Sequence, residues 1–172
     1  MRKSALLALS LFLVTAAVAQ EPAKKPLSPP QQVQYTTNGK KITIDYSAPS
    51  KRGRTIFGSG DALVPYGQVW RTGANAATTL TTDADLMIGS LHVPAGKYTL
   101  YSIPGPKEWT LIVNKQTGQW GTKYDEKQDL GRVKMKVASP LKKPVETFAI
   151  GIDKTLSFTW DTTKAWIPVV VH

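Results

Sequence analysis

The stretch VQYTTNGKKITIDYS, Val33 to Ser47, decides how the rest of the chain is read. Its Asn38-Gly39 pair is the strongest short hairpin signal, because a two-residue type I′ turn needs φ > 0 at both central positions. The register follows from the turn. Thr37 then faces Lys40, Tyr35 faces Ile42 and Val33 faces Ile44. Side chains alternate along a strand, so Val33, Tyr35, Ile42 and Ile44 share one face, with Gln34, Thr36, Lys41 and Thr43 on the other. Turn chemistry and alternation agree on an antiparallel hairpin with one buried face.

Downstream, strand signals return at short intervals. ATTLTT (Ala77 to Thr82) and ADLMIG (Ala84 to Gly89) lead through a Gly89-Ser90 turn into LHV, and Val93-Pro94-Ala95-Gly96 fits a type I turn. KYTLYSI (Lys97 to Ile103) follows, and after a Pro104-Gly105-Pro106 break EWTLIVNK (Glu108 to Lys115) has the continuous apolar centre of a strand buried on both sides. The polar QTGQWGTKYDEKQDLG leaves room for one short helical turn. RVKMKV (Arg132 to Val137) alternates strictly, with Val133, Met135 and Val137 inward. ETFAIGI, TLSFTW and AWIPVVV close the chain. About nine short strands and no useful helical period predict an all-β fold: a single antiparallel β-sandwich, jelly-roll-like, over residues 32–172.

The N-terminus has the pattern of an address. Arg2 and Lys3 precede the apolar ALLALSLFLVTAAV, Ala5 to Val18, and Ala17-Val18-Ala19 is the small-x-small pattern of signal peptidase. An apolar run of 14 residues is short of the roughly 20 that cross a bilayer. The expectation is a signal peptide over 1–19, export to the periplasm or beyond, and no membrane span after cleavage. Residues 20–31, with four prolines and no apolar period, read as an extended Pro-rich tether.

Cleavage of 19 of the 172 residues leaves 153, which suits one domain with its own core. There is no cysteine, so disulfides, thiol catalysis and Cys-ligated zinc are excluded. The formal charge of +10, less Arg2 and Lys3, leaves +8. For an exported chain that favours anionic envelope polymers over nucleic acid as partners, and scattered surface lysines kept for solubility are the plainer alternative. The only histidines are His92 and His172, without metal-ligand spacing, and no cofactor or phosphate-loop motif is present, so neither a metal nor a cofactor is expected. YDEKQDLG lacks the spacing of a calcium loop. FGSGD (Phe57 to Asp61) is not G-x-S-x-G, and alternation along LHVP turns His92 outward.

From Ala48 to Ala77 any period is lost. Long aperiodic loops in compact domains are commonly functional. This one carries Arg52, Arg54 and Arg71 beside Phe57, Tyr66, Trp70 and Asn75. Arginine forks match carboxylate, phosphate and sulfate, and aromatic rings can flank a ligand. The candidate ligand-binding residues are Arg54, Tyr66, Trp70, Arg71 and Asn75, with Trp120 from a second loop as a possible stacking platform. The structural alternative is that Arg71 pairs with an acid such as Asp129 to pin the loop, while Asn75 takes a left-handed conformation. Trp109, Trp160 and Trp166 sit in or beside strand patterns and read as core.

GRTIFG, LVPYGQVWRTGANAATTLTT, VPAGKYTLYSIPG, WTLIVNKQTGQWG and LSFTWDTTKAWIPV together resemble a bacterial family, domain-of-unknown-function family 2911 (DUF2911), over nearly the whole chain after the tether. The resemblance implies export and places Tyr66, Gly67, Trp70, Arg71, Gly73 and Asn75 in the family's signature; it brings no mechanism with it. Three functions stay open. The leading one is a non-enzymatic module that binds an anionic or carbohydrate envelope component. The second is a carboxylate-dependent hydrolase of envelope glycans or esters, using Asp125, Glu126 or Asp129 beside Arg71. The third is a structural or assembly protein without a small ligand.

Overall fold

The hairpin forms in the register that its turn dictates. In the computed structural model, which describes residues 26–172, β1 (Pro30–Thr37) pairs with β2 (Lys40–Ser47) so that Thr37 faces Lys40, Tyr35 faces Ile42 and Val33 faces Ile44. Asn38 and Gly39 take φ of 50° and 72°. The expected signal peptide and the first part of the tether, up to residue 25, lie outside the described residues.

The remaining strands are β3 (Phe57–Gly58), β4 (Val64–Pro65), β5 (Thr79–Thr82), β6 (Leu86–Ile88), β7 (Leu91–Val93), β8 (Gly96–Ile103), β9 (Glu108–Asn114), β10 (Asp129–Ala138), β11 (Val145–Ile152), β12 (Thr155–Asp161) and β13 (Thr163–Val171). The fold is all-β, as the alternation leads one to expect, and among the described residues the one helical element is a 3-10 turn, Glu126–Gln128. Two expected strands gain length because the segment between β12 and β13 is a single residue, Thr162.

Hydrogen bonding is continuous through one antiparallel sheet, in the order β1-β2-β5-β8-β9-β10-β13-β12-β11, with β6 and β7 attached beside β13. The sheet bends round the core until it is nearly a closed barrel. Facing parts of the same sheet therefore enclose the core, as the two layers of a sandwich would. The seam between the edge strands is bridged by the residues after β2: Phe148 N–H donates to Pro49 O at 2.8 Å and Lys51 N–H to Glu146 O at 2.7 Å. Lys51 Nζ also meets Asp161 Oδ1 at 2.6 Å. A seam closed in this way exposes few unpaired backbone groups for another chain to pair with.

Alternation fills the interior. Ile42 and Ile44, Leu100, Trp109, Leu111 and Val113, Met135, Phe148, Phe158 and Trp160 are all buried. β9 is covered on both faces, since Ile112 is buried beside Leu111 and Val113. Trp166 departs from the expectation of a core residue. β13 turns Ala165, Ile167 and Val169 inward, so Trp166 sits on the outer face with Lys136 Nζ 5.2 Å from its ring centroid.

Two loops lie over β8, the first at the end where β8 gives way to β9. The aperiodic segment after β2 covers this end: Trp70 bridges to Ser102 of β8, and Gly67 N–H donates to Pro104 O at 2.9 Å. The loop after β9 runs back along the outer face of β8, where Gln119 Nε2 donates to Thr99 Oγ1 and to Tyr101 Oη. It reaches the first loop at the Ala76–Trp120 bridge.

Candidate functional site

The signature segment is held by its own backbone. Trp70 exchanges two hydrogen bonds with Ser102, at 2.7 and 2.9 Å. Thr72 is fully buried with φ of 52°, a left-handed conformation that is unusual for a β-branched residue and persists only where the surroundings over-determine it. They do so here. Thr72 Oγ1 lies 2.9 Å from Ser102 Oγ, and Thr78 Oγ1 donates to Thr72 O at 2.8 Å. Asn75 is left-handed as well, φ 58°, and its carbonyl accepts from Gly121 N–H at 3.0 Å.

That corner aims Trp70 and Arg71 differently. Trp70 packs on the core with its ring nearly parallel to that of Trp160, centroids 6.0 Å apart at 18°, and edge-on to Phe57, Trp109 and Phe148. Arg71 lies against Gly121 of the second loop, where a Cβ would come within 2.5 Å of Arg71 Cδ. Glycine is required at position 121 by this close approach.

Between the two loops lies a cleft of about 870 Å³, a volume in the range of pockets that hold drug-sized ligands. Trp70, Trp160, Val64 and Ala74 line it, together with Pro49, Leu63 and Val69; Tyr101 of β8 and Gly121, Thr122 and Tyr124 of the second loop form another wall. Pro26, Leu27 and Ser28 lie along it, and Arg52, Arg54 and Arg71 all reach it.

The charges are one-sided. Among the described residues no aspartate or glutamate lines the cleft, and none of the three arginines is in an ion pair, whereas Lys51, Arg132 and Lys134 all are. Arg54 donates to the carbonyls of Lys51 and Ser50, at 3.0 and 2.7 Å, and Arg52 Nη2 to Leu27 O at 3.0 Å. Arg71 has no side-chain hydrogen-bond partner among the described residues. Glu146 meets this group through the backbone alone, its carboxylate accepting from the Arg52 N–H at 2.8 Å.

Of the six candidates from sequence, the cleft gathers Arg54, Trp70, Arg71 and Asn75. Tyr66 does not line it; its backbone N–H is bonded to Gly58 O. Trp120 is exposed beside Gly121 and does not line it either. Arg52, Tyr101 and Tyr124 join the cleft through tertiary packing. Arg52 shares its loop with Arg54 and Arg71 and is legible there as a guanidinium, but no local pattern marks Tyr101 and Tyr124 as sharing a wall, since they meet only when the second loop folds over β8, ring centroids 4.8 Å apart.

The expected Arg71–Asp129 pair does not form. Asp129 instead accepts from Tyr124 Oη at 2.7 Å, Arg132 Nε at 2.9 Å and Asn114 Nδ2 at 2.9 Å. Arg132 also reaches Glu126 at 2.6 Å, and Asp125 accepts from the N–H of Lys127 at the 3-10 turn. Burial, then the bond to Asp129 and its charge, push the Tyr124 hydroxyl up to about 12. His92 faces outward with Nε2 3.0 Å from Asp85 Oδ2. The Ala95 backbone N–H, followed by His92, holds that carboxyl below its ordinary value.

The family model described as a protein of unknown function, DUF2911, matches residues 28–169. The chain belongs to the DUF2911 family. No curated protein and no solved structure matches it in the same comparisons. The DUF2911 match begins at Ser28, within the segment that lies along the cleft, and spans both loops that build it.

Proposed function

We propose that the protein is a non-enzymatic binding module, working after export, whose cleft takes a small ligand carrying an anionic group. One observation carries the reading: three arginines converge on a cleft lined by no carboxylate among the described residues. Guanidinium donors without an internal counter-charge favour an anion, and partial shielding from water strengthens the attraction. The hydrolase alternative has less support, because Asp125, Glu126 and Asp129 are engaged in capping the 3-10 turn and holding Arg132.

Thermal melts of the purified chain against a panel of anions test this. The panel spans phosphate, organic carboxylates and acidic oligosaccharides. A ligand present at 100 times its Kd stabilises by about 2.7 kcal/mol, which raises the midpoint by roughly 5–10 °C in a domain of this size. That rise should disappear in an Arg54→Ala, Arg71→Ala double variant that still folds. If no class of anion moves the wild-type midpoint, the proposal fails.

A further inference from the structure

We infer that the anion is amphiphilic: a single acidic head on an apolar chain, the head at the arginines and the chain along the apolar wall. The inference rests on the anion-binding reading above and narrows it. Among the described residues, the large apolar side chains left exposed are Leu27 (71%), Leu63 (43%), Val69 (41%), Trp120 (52%) and Val170 (53%). Three of the five, Leu27, Leu63 and Val69, line the cleft, and Trp120 adjoins Gly121, which does too. Singly exposed apolar residues are ordinary on a protein surface; a group gathered at one concavity marks a binding site. Beneath them the cleft continues into the stacked rings of Trp70 and Trp160.

The polar inventory argues against a sugar. A pyranose presents hydroxyls that need both donors and acceptors around its edge. Here the donors are guanidiniums, and the other polar groups are largely committed. Tyr101 Oη donates to Lys123 O, Tyr124 Oη to Asp129, and Asn75 Nδ2 to Ser28 O. Without a carboxylate in the wall, the side-chain acceptors left for ligand hydroxyls are neutral ones, the Asn75 amide oxygen and the Ser28 and Thr122 hydroxyls. A carboxylate or phosphate head accepts only, and an alkyl chain asks for no partner at all.

The test is a homologous series. Straight-chain carboxylates of six to about twelve carbons, the matching alkyl phosphates and the matching alcohols are titrated against the full chain below their micelle concentrations. Glucuronate-containing oligosaccharides serve as the sugar acid. Binding is followed by calorimetry, with tryptophan fluorescence as a second readout. The carboxylates or phosphates should tighten about fourfold per added methylene until the cleft is filled. Alcohols should bind more than tenfold more weakly than acids of equal length. Comparison of the two acid series tells which head is preferred.

A Leu63→Ser, Val69→Ser variant should flatten the length dependence while keeping a near-native melt, since both side chains are already substantially exposed. Arg71→Ala should weaken every length by a similar factor. Affinity independent of chain length, or a preference for the sugar acid, overturns the amphiphile while leaving an anion cleft in place. Alcohols that bind as well as acids remove the role given to the arginines. Failure of every anion, sugar acids included, overturns both readings.

Discussion

Gly121 lies flat against Arg71: a single methyl group placed on it would meet Arg71 Cδ at 2.5 Å, Cβ at 3.0 Å and the carbonyl of Asn75 at 2.8 Å. The cleft's central guanidinium is thus positioned by a residue from the other loop. Gly121→Ala should force the two loops apart. Overpacking of this kind costs about 1–3 kcal/mol, a fall of roughly 2–12 °C in the midpoint. Arg71→Ala alone should change the midpoint little, because its side chain has no polar partner among the described residues. In the double variant the loss should be smaller than for Gly121→Ala alone, since the closest contact, to Arg71 Cδ, is gone and only the Asn75 carbonyl and the Cβ of residue 71 still crowd the added methyl. A thermal double-mutant cycle checks the coupling.

Trp70 and Trp120 should separate cleanly. Trp70 packs against four other aromatic rings, so Trp70→Ala leaves a cavity costing about 2–4 kcal/mol and lowers the midpoint on the order of 10 °C. Trp70→Phe should recover much of that. Trp120 is half in solvent, and Trp120→Ala should stay within about 0.5 kcal/mol of wild type. Equal losses from both would contradict the packing described for Trp70.

Alkaline pH should find Tyr124. Its hydroxyl titrates at about 12 in the fold against 10.0 for the ordinary group, chiefly through burial and then through Asp129. A folded value raised above the unfolded one means stability that is whole below pH 10 and lost as pH climbs through 12. Tyr124→Phe should therefore be less stable than wild type near neutrality, by about 1 kcal/mol for the lost hydrogen bonds. The gap should narrow between pH 10 and 12. Urea unfolding of both proteins at pH 8 and pH 11 measures it, and a constant gap would refute the assignment.

The seam of the barrel offers a fourth expectation. Lys51 and Asp161 meet at 2.6 Å with both side chains mostly shielded. Lys51→Met leaves Asp161 without its cation and should cost about 1–2 kcal/mol, more than a surface pair and less than a fully buried one. Hydrogen exchange should show where. The Phe148 amide, bonded to Pro49 O, should lose protection before the amides of β9 do.

What the sequence makes legible is local. Asn38-Gly39 fixes the hairpin register to the residue, and Val133-Met135-Val137 against Arg132-Lys134-Lys136 separates inside from outside along β10. Alternation tells which face of a strand is buried and not which strand lies beside it, so a sandwich and a sheet curled nearly into a barrel carry the same pattern. The same limit explains Trp166, whose strand is readable while the side it faces depends on where β13 starts. Within the cleft, the run from Trp70 to Asn75 is visible because Arg71 and Gly73 interrupt the β period. The wall formed by Tyr101 and Tyr124 is not, since it depends on how a loop folds across β8. Asp129 illustrates the cost of guessing partners from charge alone: Arg132, three residues along the same chain, claims it first.

Pro26 to Ser28 lie along the cleft by two hydrogen bonds, Arg52 Nη2 to Leu27 O and Asn75 Nδ2 to Ser28 O. Held in this way, Leu27 presents its exposed side chain as part of the apolar wall. A ligand seated against that wall and the segment that forms part of it are then coupled, and coupling of this kind is reciprocal: whatever detaches the segment lowers affinity by the same factor by which the ligand holds the segment in place. A fluorophore attached ahead of Pro26 would then report occupancy of the cleft, and tension on the N-terminus would tune it.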